Sequence, residues 1–351
     1  MSAPALAGAS AQRAESPGLW LLAWRRFCRD RVGVVSFAVA AFFFGLMIAS
    51  GLHLVADDWA EEAGVNYAPP TFIGPDAADA GAPASPADAA VRPDRAYTSD
   101  IKDPLAAVLA EIRRDPAEAA PLPAKATTLA FGGDKWGRDV LKKVIKGTQT
   151  SMFVGIAAAV LATLIGTVFG ALAGYYGRAL DDLFNWFYSI FTSVPYLLLI
   201  LAIAAVLNQK GTLTVVLILG LTGWPGIFRL VRAEYLKHRT REYIQAADAI
   251  GASDRRRMFV HILPNVSHVI LVQLSLHVVL FIKSEVILSF LGFGVGVDTV
   301  SWGSMLNEAQ SELILGKWWQ LVAATVAMAA LVTAFSLFTD ALRDALDPRL
   351  K

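Results

Sequence analysis

Five side chains of this 351-residue chain fall at spacings that could support chemistry in an apolar setting. Gln273, His277 and Glu285 share one stripe of a helical register, with Phe281 inside the stripe, Ser289 one turn beyond and Lys283 close by. A carboxylate and an imidazole in such a stripe suit either a proton or ion relay or the polar wall of a translocation path. A charge at mid-membrane costs roughly 2.5–3.5 kcal/mol on insertion scales, so it normally faces a partner or water. Lys283 and Glu285 are two residues apart, point to different sides and cannot neutralise each other within a helix. Both could instead sit near an interface and snorkel to water; the residues alone leave path wall and interface open.

Other chemistries lack their residues. Gly316-Lys317 is followed by Trp318, so there is no phosphate loop, and no GxGxxG, HExxH, CxxC or GxSxG occurs. Gly292, Gly294 and Gly296 alternate, but they close an apolar run and neither follow a strand nor open a helix, as a nucleotide site would require. His261, His268 and His277 lie seven and nine residues apart, which puts no two on one helical turn, and no metal site is expected. Cys28 is the single cysteine and permits no intrachain disulfide. No catalytic set is visible.

The elements that must carry these residues are long apolar blocks. Hydrophobic types make up 55% of the chain and charged types 17%, with mean hydropathy +0.50, too apolar for a water-facing surface of ordinary size. The net charge of +1 gives no basic field for nucleic acid. Six blocks are long enough to cross a bilayer, which takes about 20 apolar residues in a helix. They are Val32–Ala56, Ser151–Tyr175, Leu183–Leu207, Thr212–Leu230, Val266–Leu291 and Trp318–Ala341. The fold class is therefore all-α, a polytopic membrane protein of six transmembrane helices. In the second block Ala158, Ala162, Gly166, Gly170 and Gly174 recur every fourth residue, a row that lets another helix backbone approach closely. Packing within the chain is the favoured reading of that row, ahead of a contact between subunits. Pro195 and Trp224-Pro225-Gly226 interrupt the third and fourth blocks, where a plain kink is expected.

Basic residues set the orientation. Arg25, Arg26, Arg29 and Arg31 precede the first block, Arg241 and Arg255–Arg257 lie between the fourth and fifth, and Arg343, Arg349 and Lys351 follow the last. Both termini are expected in the cytoplasm. Lys142, Lys143 and Lys146, just before the second block, oppose this assignment, but they end a long segment where charge bias counts for less. That segment holds ten of the sixteen prolines, and Ala68–Thr128 is expected to be extended or mobile, with a short helix around Leu105–Arg114.

The loop between the fourth and fifth blocks reads as a small hairpin. Thr240 is expected to cap a helix with Glu242 in its first turn, and Ala246, Ala247 and Ala249 keep that helix slender. Gly251 supplies a left-handed C-terminal residue. Ser253 is expected to cap a second short helix bearing Arg255, Arg256 and Arg257, and Pro264 punctuates the start of the fifth block. A stiff, thin projection of this kind suits docking into a groove on another protein.

These residues resemble the permease subunits of bacterial binding-protein-dependent ABC importers, in their dipeptide/oligopeptide/nickel branch. The cytoplasmic signature of that class begins Glu-Ala-Ala, has Gly four residues after the second Ala and closes on Leu-Pro. Here it reads Tyr243-Ile-Gln245-Ala246-Ala247-Asp248-Ala-Ile-Gly251-Ala252-Ser-Asp, then His261-Ile-Leu263-Pro264-Asn265, with Gln245 in place of the acid. Gly133-Asp134-Lys135-Trp136-Gly137-Arg138-Asp139 is similar to the branch's Gly-Thr-Asp-x-x-Gly-Arg-Asp, with its Thr missing. Trp224, Arg229 and Arg232 match the approach to the loop; Glu285-Val-Ile-Leu-Ser289-Phe-Leu-Gly292-Phe-Gly294, Ser301-Trp302-Gly303-Ser-Met-Leu306 and Leu342-Arg343-Asp344-Ala-Leu-Asp347-Pro348 complete the pattern.

The resemblance implies the fold of a type I ABC importer and a place in the bacterial inner membrane. It implies a heterodimer with a second permease subunit, two ATP-binding subunits and an extracytoplasmic solute-binding protein, with ATP and Mg bound by the ATPases and no cofactor in this chain. The hairpin 243–257 would be the coupling helix in the ATPase cleft, carried by Tyr243, Gln245, Ala246, Ala247, Asp248, Gly251, Ala252, Arg255, Arg256, Leu263 and Pro264. The chain then divides into a cytoplasmic segment 1–31, a first transmembrane helix 32–56 and an Ala/Pro-rich extracytoplasmic segment 57–150. A five-helix permease core 151–341 with the coupling loop 232–265 and a cytoplasmic tail 342–351 follow. The expected cargo is short peptides, with nickel disfavoured because the fifth-block stripe offers one histidine. The alternative from another class is a proton- or ion-coupled secondary transporter using Glu285 or Lys283.

Overall fold

The computed structural model describes residues 25–75 and 125–346, and among these every regular element is helical. In chain order the helices are α1 (Arg31–Gly51), α2 (Val140–Tyr176), α3 (Arg178–Thr192), α4 (Tyr196–Leu207), α5 (Thr212–Thr222), α6 (Pro225–Arg239), α7 (Glu242–Ala249), α8 (Asp254–Arg256), α9 (Leu263–Phe290), α10 (Trp302–Ile314) and α11 (Trp319–Leu346). Five stretches are long and apolar enough to cross a membrane: α1, α2, α5 with α6, α8 through α9, and α11. The bent pair α3 and α4 brings the number to six if the two are taken as one span.

α2 is the spine of the bundle. Asp139 caps its start, accepting from Leu141 N at 2.8 Å, and Gly177 closes it at φ +64°. It begins eleven residues before the expected second block, because Asp139 supplies a cap that apolar content does not register. At 1.5 Å per residue its 37 residues span about 55 Å, well beyond the ~30 Å hydrocarbon core, so both ends project. Its row of small residues packs on α6, within this chain. A Cβ at Gly166 would lie 2.7 Å from the Trp224 carbonyl oxygen, at Gly170 2.8 Å from that of Phe228, and at Gly174 2.6 Å from that of Arg232. Three glycines four apart meet three carbonyls four apart, a fit that any side chain would destroy.

The third span differs from the expected continuous block. Pro195 lacks an amide donor and itself leaves the helical region at ψ 130°, and α3 and α4 meet at 83° instead of a mild kink. The bend lays α3 alongside α6, where Phe187 stacks on Trp224 at 5.5 Å and Phe191 meets the same ring edge-on. Arg232 clamps Asp181 of α3 with two hydrogen bonds, the longer at 2.6 Å. In the fourth span Pro225 takes the first turn of α6, where its missing donor does no harm, and the span continues to Arg239. Phe281 of α9 fills the break: a Cβ at Gly223 would lie 2.2 Å from its ring.

The helix expected at Leu105–Arg114, most of Ala68–Thr128 and the end of the tail fall outside the described residues. The two described ends of that proline-rich segment are held together. Val65 N donates to Ala126 O and Thr71 N to Leu129 O, both at 2.9 Å, and isolated bridges join Gly64 to Ala126 and Pro70 to Leu129. α10 was not expected. Its signal is a reciprocal cap between Ser301 and Ser304, less conspicuous than the usual pairing of Ser or Thr with Glu or Gln.

Candidate functional site

The loop between α6 and α9 folds into the hairpin. Tyr235, Ile244, Met258, Ile262 and Val266 form a buried cluster with Ala171 and Tyr175 of α2, which seats the hairpin on the bundle. Gly251 has φ +78°, and no atom lies within 4 Å of a Cβ placed there, so the backbone conformation alone selects glycine. Ala252 N donates to Ala247 O at 3.0 Å and Gly251 N to Asp248 O at 2.8 Å, the paired bonds of a Schellman C-cap. Gln245, Ala246, Asp248, Gly251, Arg255, Arg256 and Pro264 are exposed, Ala252 and Leu263 are half-buried and Ala247 points inward. The Tyr243 hydroxyl bonds His238 Nδ1 at 2.8 Å, and Gln245 Nε2 reaches back to Thr240 O at 3.4 Å.

Three expected details change. Thr240 does not cap α7; its hydroxyl donates to Lys237 O and closes α6, and Arg241 takes the cap position. Ser253 occupies the cap position of α8 without a side-chain bond. Pro264 does not separate the hairpin from the fifth span. A π-helical turn over Arg257–Ile262 runs straight into α9, and Pro264 stands in the first turn of α9, where its missing amide donor is tolerated.

The polar stripe of α9 forms as spaced. Gln273 Nε2 lies 3.3 Å from His277 Nε2, His277 Nδ1 lies 3.2 Å from Thr163 Oγ1 of α2, and the His277 ring stacks on Phe281. Ser289 donates to Glu285 Oε1 at 2.7 Å, while Glu285 Oε2 is buried with no hydrogen-bond partner among the described residues. His277, Glu285 and Ser289 are all buried, Gln273 is partly so, and Lys283 faces outward on the other side. The face expected to line a path is, in this conformation, a seam inside the chain. Gly155 of α2 brings α9 so close that a Cβ there would lie 2.3 Å from Ile282.

Sequence reasoning missed a second polar assembly at the opposite end of α2. Lys143 is 1% exposed and its ammonium donates to Asp134 at 2.8 Å, Glu308 at 2.6 Å and Gln320 at 3.2 Å. Asp134 accepts in addition from Trp136 N and Arg138 N, and Trp319 Nε1 donates to Gly133 O at 2.7 Å. Burial pushes the nearby Glu312 carboxyl up to about 7, and the Lys143 charge opposes that shift without cancelling it. Lys142 pairs with Asp58. Two of the three lysines that argued against the orientation are thus neutralised by partners. The legible signal was Asp134 in the Gly133–Asp139 motif, nine residues before Lys143.

Among the described residues no group of three or more His, Cys, Asp or Glu could hold a metal ion. A hairpin seated on a membrane bundle, with its tip free, is the geometry of a membrane component that meets other proteins. The family model described as binding-protein-dependent transport system inner membrane component matches residues 166–351, more than half the chain. The chain belongs to that family. The match takes in the hairpin, α9 with its polar stripe, α10 and α11. The dipeptide transport system permease protein DppC of Bacillus subtilis is 37% identical over 221 residues, 63% of this chain and 69% of that protein. The oligopeptide transport system permease protein OppC of the same organism is 36% identical, over 63% of this chain and 72% of its own. Among solved structures, one described as inward-facing conformations of the MetNI methionine ABC transporter is 16% identical with a TM-score of 0.48, covering 58% of this chain and 96% of its own. This membership makes the chain an ABC importer permease of the inner membrane, all-helical and multi-pass, and the secondary-transporter alternative finds no support.

Proposed function

We propose that this permease forms half of an ATP-driven import path for short peptides. The hairpin Tyr243–Arg257 lies in the cytoplasm, with both termini, and docks in a groove of a partner ATPase. A second permease completes the path, two ATP-binding subunits bind ATP and Mg, and an extracytoplasmic solute-binding protein delivers the cargo. The observation that carries the reading is the hairpin itself. Its inner side is fixed to the bundle, its turn is set by Gly251, and its tip presents Gln245, Ala246 and an almost fully exposed Ile250, an apolar knob that water alone would not favour. The peptide cargo is supported by the substrates named for the DppC and OppC relatives. ATP-driven closure of the ATPases would push the hairpin and rock α6 and α9, which are continuous with it.

The test is co-purification. A C-terminally tagged chain, extracted in mild detergent, should bring down a second permease and P-loop ATPases identified by mass spectrometry. Altering Ala246, Ala247 and Gly251 should release the ATPases. A well-folded chain recovered alone, or only with copies of itself, would end the importer reading.

A further inference from the structure

The hairpin is continuous through the backbone with α6 on one side and α9 on the other. α2 has no such link and meets the hairpin through side chains of its last turn. The Tyr175 hydroxyl donates to Asp254 Oδ1 at 2.8 Å. The same oxygen accepts from Arg257 Nη2 at 2.6 Å, and Arg257 Nη1 donates to Asp248 of α7. One guanidinium therefore joins the two arms across the Gly251 turn, and one carboxylate joins the second arm to α2. These four residues line a polar cavity of about 360 Å³ together with Arg239 and Gln245. Tyr175 thus meets the hairpin both through the buried apolar cluster and through its hydroxyl.

We propose that Tyr175, Asp254, Arg257 and Asp248 form a transmission clasp, a set of positioning residues that keeps the hairpin rigid when it is pushed and makes α2 follow it. This rests on the coupling role proposed above. Two bends could otherwise absorb a push, Thr240–Arg241 before α7 and Gly251–Ser253 after it. The clasp spans the second bend and anchors the far side of the first. Asp248 and Asp254 side chains are 64% and 48% exposed, and ion pairs so open to water add little stability. Their use is directional: the planar fork of Arg257 holds two carboxylates in one fixed relation, which a lysine ammonium would not.

The test uses the whole transporter, reconstituted in vesicles with its partner chains and solute-binding protein. Hydrolysis is measured together with uptake of radiolabelled dialanine or pentaalanine, whichever the wild type imports. Tyr175→Phe removes one hydroxyl and Arg257→Lys removes the fork. Each should raise the ATP hydrolysed per peptide imported by about threefold or more, on the scale that single coupling contacts carry, with the yield of assembled complex unchanged. Asp254→Asn, which keeps an acceptor for Tyr175 but loses the charge facing Arg257, should fall between. Tyr176→Phe, whose hydroxyl makes no hydrogen bond among the described residues, should match the wild type. If Tyr175→Phe and Arg257→Lys both keep the wild-type ratio, the clasp is overturned. Equal losses of hydrolysis and uptake with less assembled complex would also overturn it, since that marks a structural role only. A wild-type complex that imports neither peptide and hydrolyses no ATP would overturn the importer reading instead.

Discussion

The two ends of α2 hold polar groups in opposite ways. At its start Lys143 and Asp134 are sealed from water and locked between the Gly133–Asp139 loop, α10 and α11. At its end Tyr175 meets a carboxylate that is half open to solvent beside a cavity. A buried ion pair resists movement because separating it strands a charge in a poor dielectric, whereas an exposed pair re-forms in water at little cost. The difference teaches which end resists separation and which can rearrange in water at little cost.

Four measurements break or sharpen that contrast. The largest effect is expected from Lys143→Met. It leaves Asp134 buried without its cation and should destabilise the chain by about 3–5 kcal/mol in denaturant unfolding in detergent. A loss under about 1 kcal/mol, the value for exposed pairs, would place this end in the same class as the hairpin. Next is Gly166→Val, where the new side chain runs into the Trp224 carbonyl and Ile227 and should cost about 1–3 kcal/mol in the same assay. At Gly251 a Cβ meets no atom within 4 Å, so Gly251→Val is opposed chiefly by the left-handed backbone, at about 1–2 kcal/mol. Its greater consequence is functional: ATP hydrolysis in the assembled transporter should continue while uptake fails, and unchanged uptake would refute the account of the turn.

The last measurement is a pH dependence. Burial holds a proton on Glu312 up to about pH 7, above the ordinary glutamate value of 4.5. Between those values the folded chain keeps a proton that the unfolded chain has released, so stability falls as pH rises through the window and levels off above it. Thermal unfolding of the purified chain should show that decline, and Glu312→Gln should flatten it. A wild-type curve already flat across the window would show the carboxyl to be solvated.

Much of the hairpin was legible because its determinants are local. A glycine that must take positive φ, an alanine-rich helix before it and a proline after it can all be read within 25 residues of chain. The same holds for the small-residue row on α2, although its partner was not legible; the three α6 carbonyls that it meets lie 58 residues further along. The α9 stripe was read in its spacing and not in its surroundings, because spacing shows which side chains share a face and not what covers that face. Gly155, 130 residues before Glu285, helps to enclose the stripe.

By itself the sequence determined the apolar spans, the hairpin with its Gly251 turn and the absence of recognised catalytic motifs. These follow from composition and short-range periodicity, which the bilayer and the backbone impose on any chain. Only the tertiary structure decided that Pro195 breaks a span at 83°, that Lys143 is neutralised, and that Tyr175 reaches Asp254. Each depends on groups brought together from distant positions, where close packing and desolvation, both properties of the assembled bundle, select the partner.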